Sequence, residues 1–413
     1  MNYILFDDSS RPHLLPFTHT RPVADIRCGI LTMRERWEQC LQKAIYAHSA
    51  VSAQDGSPLT TGTLTEEYMQ KVYPLNAGQD NIYISGSVFA NVALANAIFQ
   101  LQPGQALVKA NLVIAARIPL NNLTLKELTE HLLTLPAQFC HEEVYALKNA
   151  WDIFALNDRA LRDDFDLITA GRKSAPVPEN VTVTGHQNLF IEEGANICAG
   201  CIINTNTGPV YIGKNTEVLE GVLIRGPLAV GEHAVIKMGA KIYSATTIGP
   251  GCKVGGEINN VVFFANSNKA HDGYLGNAVI GEWCNLGADT NCSNLKNNYS
   301  EVKIWHEASG KSVTTGLTFC GLMMGDHSKC GINTMFNTGT VVGVSSNIFG
   351  GGFPEKFIPS FSWGVAEGSK PYDFGKAMET AGRMMARRSQ KLSQAETDMY
   401  RHIFDNSPQI KSY

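Results

Sequence analysis

The chain has 413 residues, 17% of them charged, with a formal net charge of −4. That length accommodates two or three domains with sizeable cores, and the weak charge gives no electrostatic reason to expect a nucleic acid or an anionic membrane surface as partner. The opening MNYILFDDSSRPHLLP has no basic segment followed by a long apolar one, and no run reaches 18 apolar residues, so a cytoplasmic location is expected. Ten cysteines over this length are too sparse for a disulfide scaffold. The C-x-x-C at Cys198 and Cys201 has no second pair and falls inside a repeat, which points to packing.

Up to about residue 170, β-prone runs near 3–6, 81–85 and 106–108 alternate with helical patterns at 31–47, 124–135 and 151–164. This alternation predicts an α/β domain over 1–170 with a largely parallel, doubly wound sheet. Gly, Pro and charge then fill 171–180 without apolar periodicity, as a linker does.

A different period follows. Ile212, Val218, Ile224, Val230, Ile236, Ile242, Ile248 and Val254 recur at every sixth position, several of them followed by glycine. Six matches neither a helix nor simple strand alternation; it marks a hexapeptide parallel β-helix, whose sixth-position aliphatics point to the axis. The prism is expected over 181–368, with breaks at 259–275 and 296–315 read as long loops leaving a rigid scaffold. Over 369–413, Met378, Met384, Met385, Leu392, Met399 and Ile403 form a helical tail, expected to cover the open end of the prism or to pack on a neighbouring subunit.

The first break ends in Asn268-Lys-Ala-His-Asp-Gly-Tyr-Leu-Gly276, followed by Val279-Ile-Gly-Glu-Trp-Cys-Asn-Leu-Gly-Ala288 and Asn294-Leu295. This resembles the K-A-x-H-x-x-Y-L-G-x-A-x-I-G-x-x-x-N-x-G-A stretch of the GlmU-like bifunctional enzymes, which acetylate glucosamine-1-phosphate and then uridylylate it. The resemblance implies a left-handed β-helix and a homotrimer, with acetyl-CoA and an amino sugar phosphate as substrates. It makes His271 the general base and sets Tyr274, Asn285 and Asn294 on the sugar phosphate. It places the Ala288 backbone by the thioester, and Ile332 and Gly350 against coenzyme A. Lys237, Lys241 and Arg225 are candidates for the phosphate. A sugar ammonium must lose a proton before it attacks a thioester, and a histidine titrating near neutrality can accept it.

By the same resemblance the first domain would be a nucleotidyltransferase using UTP or another nucleoside triphosphate with Mg2+, so that the two halves together yield a nucleotide sugar. The family's L-x-x-G-x-G-T-R loop is replaced here by Leu14-Leu-Pro-Phe-Thr-His-Thr-Arg21, without glycines to cradle phosphates. Asp8, Arg21 and Arg27 remain as nucleotide-binding candidates. Ser85-Gly-Ser87 stands where an aspartate metal ligand is expected, and Trp151 to Arg159 resembles a late magnesium-binding segment, which makes Asn157 and Asp158 metal candidates. One alternative is a sugar-phosphate-binding protein whose β-helix serves trimerisation. Another is a γ-class carbonic anhydrase, but His233, His271 and His327 lack that enzyme's five-residue spacing.

Overall fold

The computed structural model describes residues 1–48, 58–120, 122–364 and 369–408; the expected prism end at 368 lies outside them. Contacts divide the chain into two units. The first comprises Met1–Leu14, Thr20–Ile26 and Leu31–Asn149; the second takes Leu15–His19, Arg27–Ile30 and everything from Ala150 onward.

The first unit is a six-stranded sheet in the order β2-β1-β3-β5-β4-β6, built from β1 (Asn2–Phe6), β2 (Gly62–Leu64), β3 (Asn81–Ser85), β4 (Gln105–Lys109), β5 (Leu112–Ile118) and β6 (Ala137–Phe139). Helices α1 (Met33–His48), α2 (Val92–Phe99) and α3 (Leu125–Leu132) belong to the same unit. The sheet is largely parallel, as expected: β1, β2, β3, β4 and β6 run the same way, and β5 alone runs antiparallel to its neighbours β3 and β4. Only Ala110 and Asn111 separate β4 from β5, and so short a link permits a hairpin but no crossover. Ala110 carries the positive φ (51°) that the turn requires.

The second unit is a parallel β-helix. Val218 pairs with Ile236 and Ile236 with Val254, Ile224 with Ile242, and Ile212 with Val230 and then Ile248. Partners eighteen residues apart mean three hexapeptides per coil, one per wall. The aliphatics of this run are buried at the axis, each burial contributing about 1.5–3 kcal/mol.

The expected loop at 259–275 is instead another coil. Ile258 pairs with Ile242, Phe263 with Ile248 and Lys269 with Val254 below, while Leu275 pairs with Ile258 and Ile280 with Phe263 above. The interior steps here shorten to four residues (254 to 258) and five (258 to 263, 275 to 280). The phase therefore slips although the wall continues. The second break is a true excursion: Val279 pairs with Met323 and Asn285 with Lys329, forty-four residues on. The extra chain carries an antiparallel hairpin of Lys303–His306 and Lys311–Thr314. A His19–Glu307 contact of 2.6 Å and stacking of Trp305 on Phe357 hold it down.

Helices α4 (Asp152–Ala155) and α5 (Asn157–Thr169) pack with the β-helix, Leu161 lying against Ala229 and Ala245. This is why the contact division falls at Asn149 and not at the linker. Helices α6 (Phe374–Ala386) and α7 (Gln394–Asn406) line one corner of the prism, not its open end. That corner holds Asn215, His233, Gly251, Asn266, Trp283, His327, Ser345 and Phe361 on successive coils, all with φ between 52° and 66°. Phe361 meets Phe374 and Phe404, His327 meets Tyr400, and Arg388 lies over Trp283.

Candidate functional site

The coil of 257–273 carries the residues singled out by the motif. His271 sits at a corner, exposed, three residues after Asn268. Asn268 pairs with Asn285, Asn285 with Lys329, and Lys329 with Asn347. Three residues beyond each of these come Ala288, Ile332 and Gly350, so these four residues occupy one corner on consecutive coils, about 4.8 Å apart per step. The Asn333 N–H donates to the Ala288 carbonyl at 2.8 Å across that step. Ile332 is 71% exposed there. Below, a Cβ added to Gly256 would stand 2.9 Å from the His271 carbonyl oxygen, which places glycine under the histidine. Lys237 lies in the adjoining stack: a Cβ at Gly255 would meet its Cβ at 3.0 Å and the Ala270 carbonyl at 2.5 Å. No side chain among the described residues hydrogen-bonds the His271 ring, which leaves it open to a substrate.

Tyr274 begins the strand that leads away from this corner. Its hydroxyl accepts from Asn259 Nδ2 (3.3 Å) and Asn294 Nδ2 (3.0 Å). Asn294 also donates to Asn277 Oδ1 at 2.7 Å, and the Asn277 amide donates to Asn260. Asn260, Asn277 and Asn294 thus form a ladder at the next corner, one rung per coil, with Asn260 and Asn277 in the left-handed region (φ 55° and 47°) that asparagine tolerates. Beside it the Tyr243 hydroxyl donates to Glu257 Oε1 at 2.7 Å; burial and the Glu257 carboxylate both push that phenol's pKa up. Asn285, half-buried, faces out from the preceding wall and accepts from Asn268 Nδ2 at 2.8 Å.

The structure brings His271, Tyr274, Asn294, Ala288, Ile332 and Gly350 onto one corner and its adjoining wall. It sets Arg225 apart. Arg225 pairs with Tyr243, Tyr243 with Asn259 and Asn259 with Gly276, three rungs along the wall from the Tyr274 strand. It lines a cavity of about 450 Å³ with Phe154, Asp158, Tyr243 and Asn260. Lys241 shares the Tyr274 column, one rung beyond Glu257. His233 and His327 stand on the corner faced by α6 and α7, not on the His271 corner. Sequence reasoning missed Asn259 and Asn277, although the recurrence of asparagine at 260, 277 and 294 was visible. It also missed Lys269, which occupies an interior position.

In the first unit the ends of β1 and β3 lie side by side, Phe6 opposite Ser85. Asp8 accepts there from the hydroxyls of Ser10, Ser85 and Ser87. Asp7 is buried, accepting from Val23 N–H (2.7 Å) and the Thr65 hydroxyl (2.5 Å), with Arg11 at 3.1 Å. This is the carboxyl edge of parallel strands, where open α/β sheets bind ligands. Arg21 is buried in this unit, whereas Arg27 belongs to the second, its guanidinium bonded to the Ile30 carbonyl. The donor set does not fit Mg2+: Asp8 is surrounded by serine hydroxyls, Asp7 is committed to Arg11 and Thr65, and the described residues hold no cluster of three metal-ligating groups. Asn157 is a fastener. Its oxygen accepts from Gly29 N–H (2.7 Å) and the Thr247 hydroxyl (3.1 Å), and its nitrogen donates to Ala245 O (2.8 Å), so no oxygen remains for a metal. Asp158 is exposed and paired with Arg162 at 2.9 Å. No helix among the described residues is long and apolar enough to cross a membrane.

Comparison with known proteins agrees with both halves. Residues 3–173 match the sugar nucleotidyl transferase family. A bifunctional sugar-1-phosphate nucleotidylyltransferase/acetyltransferase of Sulfurisphaera tokodaii is 30% identical over 201 residues, 49% of this chain and 43% of that protein. The bifunctional protein GlmU of Synechococcus elongatus is 23% identical over 236 residues, 52% of this chain and 48% of its own. The chain therefore spans less than half the length of these two relatives. Among solved structures, a UDP-N-acetylglucosamine acyltransferase from Campylobacter jejuni aligns over 57% of this chain and 98% of its own, at 13% identity and a TM-score of 0.24. Over its first 173 residues the chain matches the sugar nucleotidyl transferase family, a hexapeptide β-helix follows, and the whole is similar at 23–30% identity to bifunctional sugar-1-phosphate nucleotidylyltransferase/acetyltransferases.

Proposed function

We propose that the β-helix transfers an acetyl group from acetyl-CoA to the amine of an amino sugar 1-phosphate, glucosamine-1-phosphate being the first candidate. His271 takes the ammonium proton, Tyr274, Asn285 and Asn294 hold the sugar, and the corner of Ala288, Ile332 and Gly350 receives coenzyme A, with Lys237 two coils below His271. The single observation that carries this reading is the stacking of His271, Ala288, Ile332 and Gly350 on one corner of consecutive coils, with Tyr274 and its asparagines on the adjoining wall. A positioned base of this kind contributes about 10²- to 10⁴-fold in rate. His271→Ala is expected to reduce acetyl-CoA turnover with glucosamine-1-phosphate by at least about 100-fold while the thermal midpoint holds; wild-type turnover would sink the assignment.

For the first unit we propose sugar-phosphate or nucleotide binding without nucleotidyl transfer. The observation favouring it is that Ser85 and Ser87, standing where the chemistry calls for a metal-binding aspartate, spend their hydroxyls on the Asp8 carboxylate. Calorimetry with UTP in the presence and absence of Mg2+, beside an assay for released pyrophosphate, tests this; pyrophosphate release refutes it. A homotrimer is part of the same reading, supported by the apolar side chains that Ile332 (71%), Phe349 (41%) and Phe353 (59%) leave exposed at and beyond the His271 corner. Sedimentation equilibrium gives its mass.

A further inference from the structure

One buried, charged group near the corner has no part in the chemistry above. The interior column that ends at this corner reads Ile197, Val218, Ile236, Val254, Lys269, Leu286, Cys330 and Ile348 from coil to coil. Seven of these are aliphatic or thiol; the fifth is a lysine with 0% exposure. A buried ammonium persists only where its hydrogens find acceptors. The Lys269 Nζ donates to the carbonyls of His271 (2.6 Å), Asp272 (3.0 Å) and Gly255 (3.4 Å). Its three donors are thereby used on the backbone that makes the turn.

Two of those carbonyls flank the candidate base. With the oxygens of His271 and Asp272 drawn inward to the ammonium, the side chains of both residues turn outward, and both are exposed. The coil below closes the turn from the other side, since a Cβ at Gly256 would lie 2.7 Å from the Gly273 carbonyl oxygen and 2.9 Å from that of His271. Burial lowers the lysine's pKa to about 8, and the charged groups that face it, Asp272 first and then the Cys330 thiol and Asp289 on neighbouring coils, act in the opposite direction.

We infer that Lys269 is a positioning residue for acyl transfer: its ammonium holds the His271 and Asp272 carbonyls against the core and so sets the direction in which the imidazole leaves the corner. The inference rests on His271 being the general base. An apolar residue at this place, as at every other level of the column, would keep the prism packed while releasing those carbonyls.

The test uses the full chain with Lys269→Met, His271→Ala and the double variant, assayed with acetyl-CoA and glucosamine-1-phosphate. Lys269→Met is expected to lower kcat by about 10- to 100-fold and to leave the KM for acetyl-CoA within about twofold. It should add no further loss in the His271→Ala background, because residues acting through one group are not additive. The imidazole resonance of His271, identified by its disappearance in His271→Ala, should also shift. Wild-type kcat in Lys269→Met, or a loss of equal size in the His271→Ala background, overturns the proposal while leaving the acyltransfer reading intact. Should His271→Ala turn over normally, that reading fails instead. The assignment of Lys269 as a positioning residue for that reaction falls with it. If Lys269→Met does not fold, Lys269→Gln, which can donate to only part of the turn, replaces it: a lowered kcat absent from the His271→Ala background is expected, and wild-type kcat overturns the proposal.

Discussion

Asp7 ties the first unit to pH through one buried carboxyl group. Burial raises its pKa to about 6, against the pull of Arg11 and the hydrogen bonds from Thr65 and Val23. The folded form therefore holds the proton more tightly than the unfolded chain. Between about pH 4 and pH 6 the unfolded chain gives up this proton first, so the unit loses stability as pH rises through that window and levels off above it. The shift corresponds to about 3 kcal/mol. Asp7→Asn should flatten the slope, read as protection of the β1 amides from hydrogen exchange at pH 4 and pH 7. Legibility at this scale depended on motif context. His271 was singled out because its neighbours form a dense pattern, whereas Lys269 was passed over, since an isolated lysine in a polar stretch reads as surface. Asn157 and Arg27, expected at ligands, bond to backbone groups in the structure. Polar side chains spent on backbone groups look in a sequence like side chains waiting for a ligand.

Among the elements, the coils reward their neighbours through side-chain ladders as well as backbone pairing. Asn277 bridges Asn260 and Asn294, and Asn294 steadies the Tyr274 hydroxyl. Asn277→Ala leaves the amides of both neighbours short of a partner, at about 1–3 kcal/mol for each buried group. A lower thermal midpoint and a raised KM for the sugar acceptor, with the KM for acetyl-CoA unchanged, are the expected outcomes; an unchanged sugar KM would dissociate the ladder from binding. The walls were legible wherever the interior step is six. They were not legible between Val254 and Ile280, where steps of four and five carry the axis-facing position out of phase and Lys269 fills one level of it. The excursion after Cys292 was legible, because forty-four residues between paired strands leave a gap that no corner can absorb.

At the scale of the whole molecule, the helical stretch before the linker lies within the residues that match the sugar nucleotidyl transferase family, yet by contacts it goes with the β-helix. Its apolar face finds Ala229 and Ala245, and a helix pattern alone does not say which core it serves. The terminal helices were predicted as elements, but their partner was not, since the aromatic corner they line appears only once coils are stacked. A chain ending at residue 372 should melt at a lower temperature, bind more of a hydrophobic dye and show red-shifted emission from Trp283; emission unchanged from the full chain would mean the helices do not shield that corner. The corner carries a further consequence. An L-residue with positive φ is costly wherever it stands, yet here the only glycine among the eight is Gly251. Arg388, in the link between the helices, grips the backbone at Gly251 and the ring of Trp283, and the helices themselves meet the side chains of His327 and Phe361. Read from coil to coil, the corner works as a vernier scale, and its marks match the helices in a single alignment. Adding or removing one eighteen-residue coil between Trp283 and Phe361 would leave the prism well formed but slide every mark by one rung, so the number of coils is set by what grips the prism from outside as much as by what fills it.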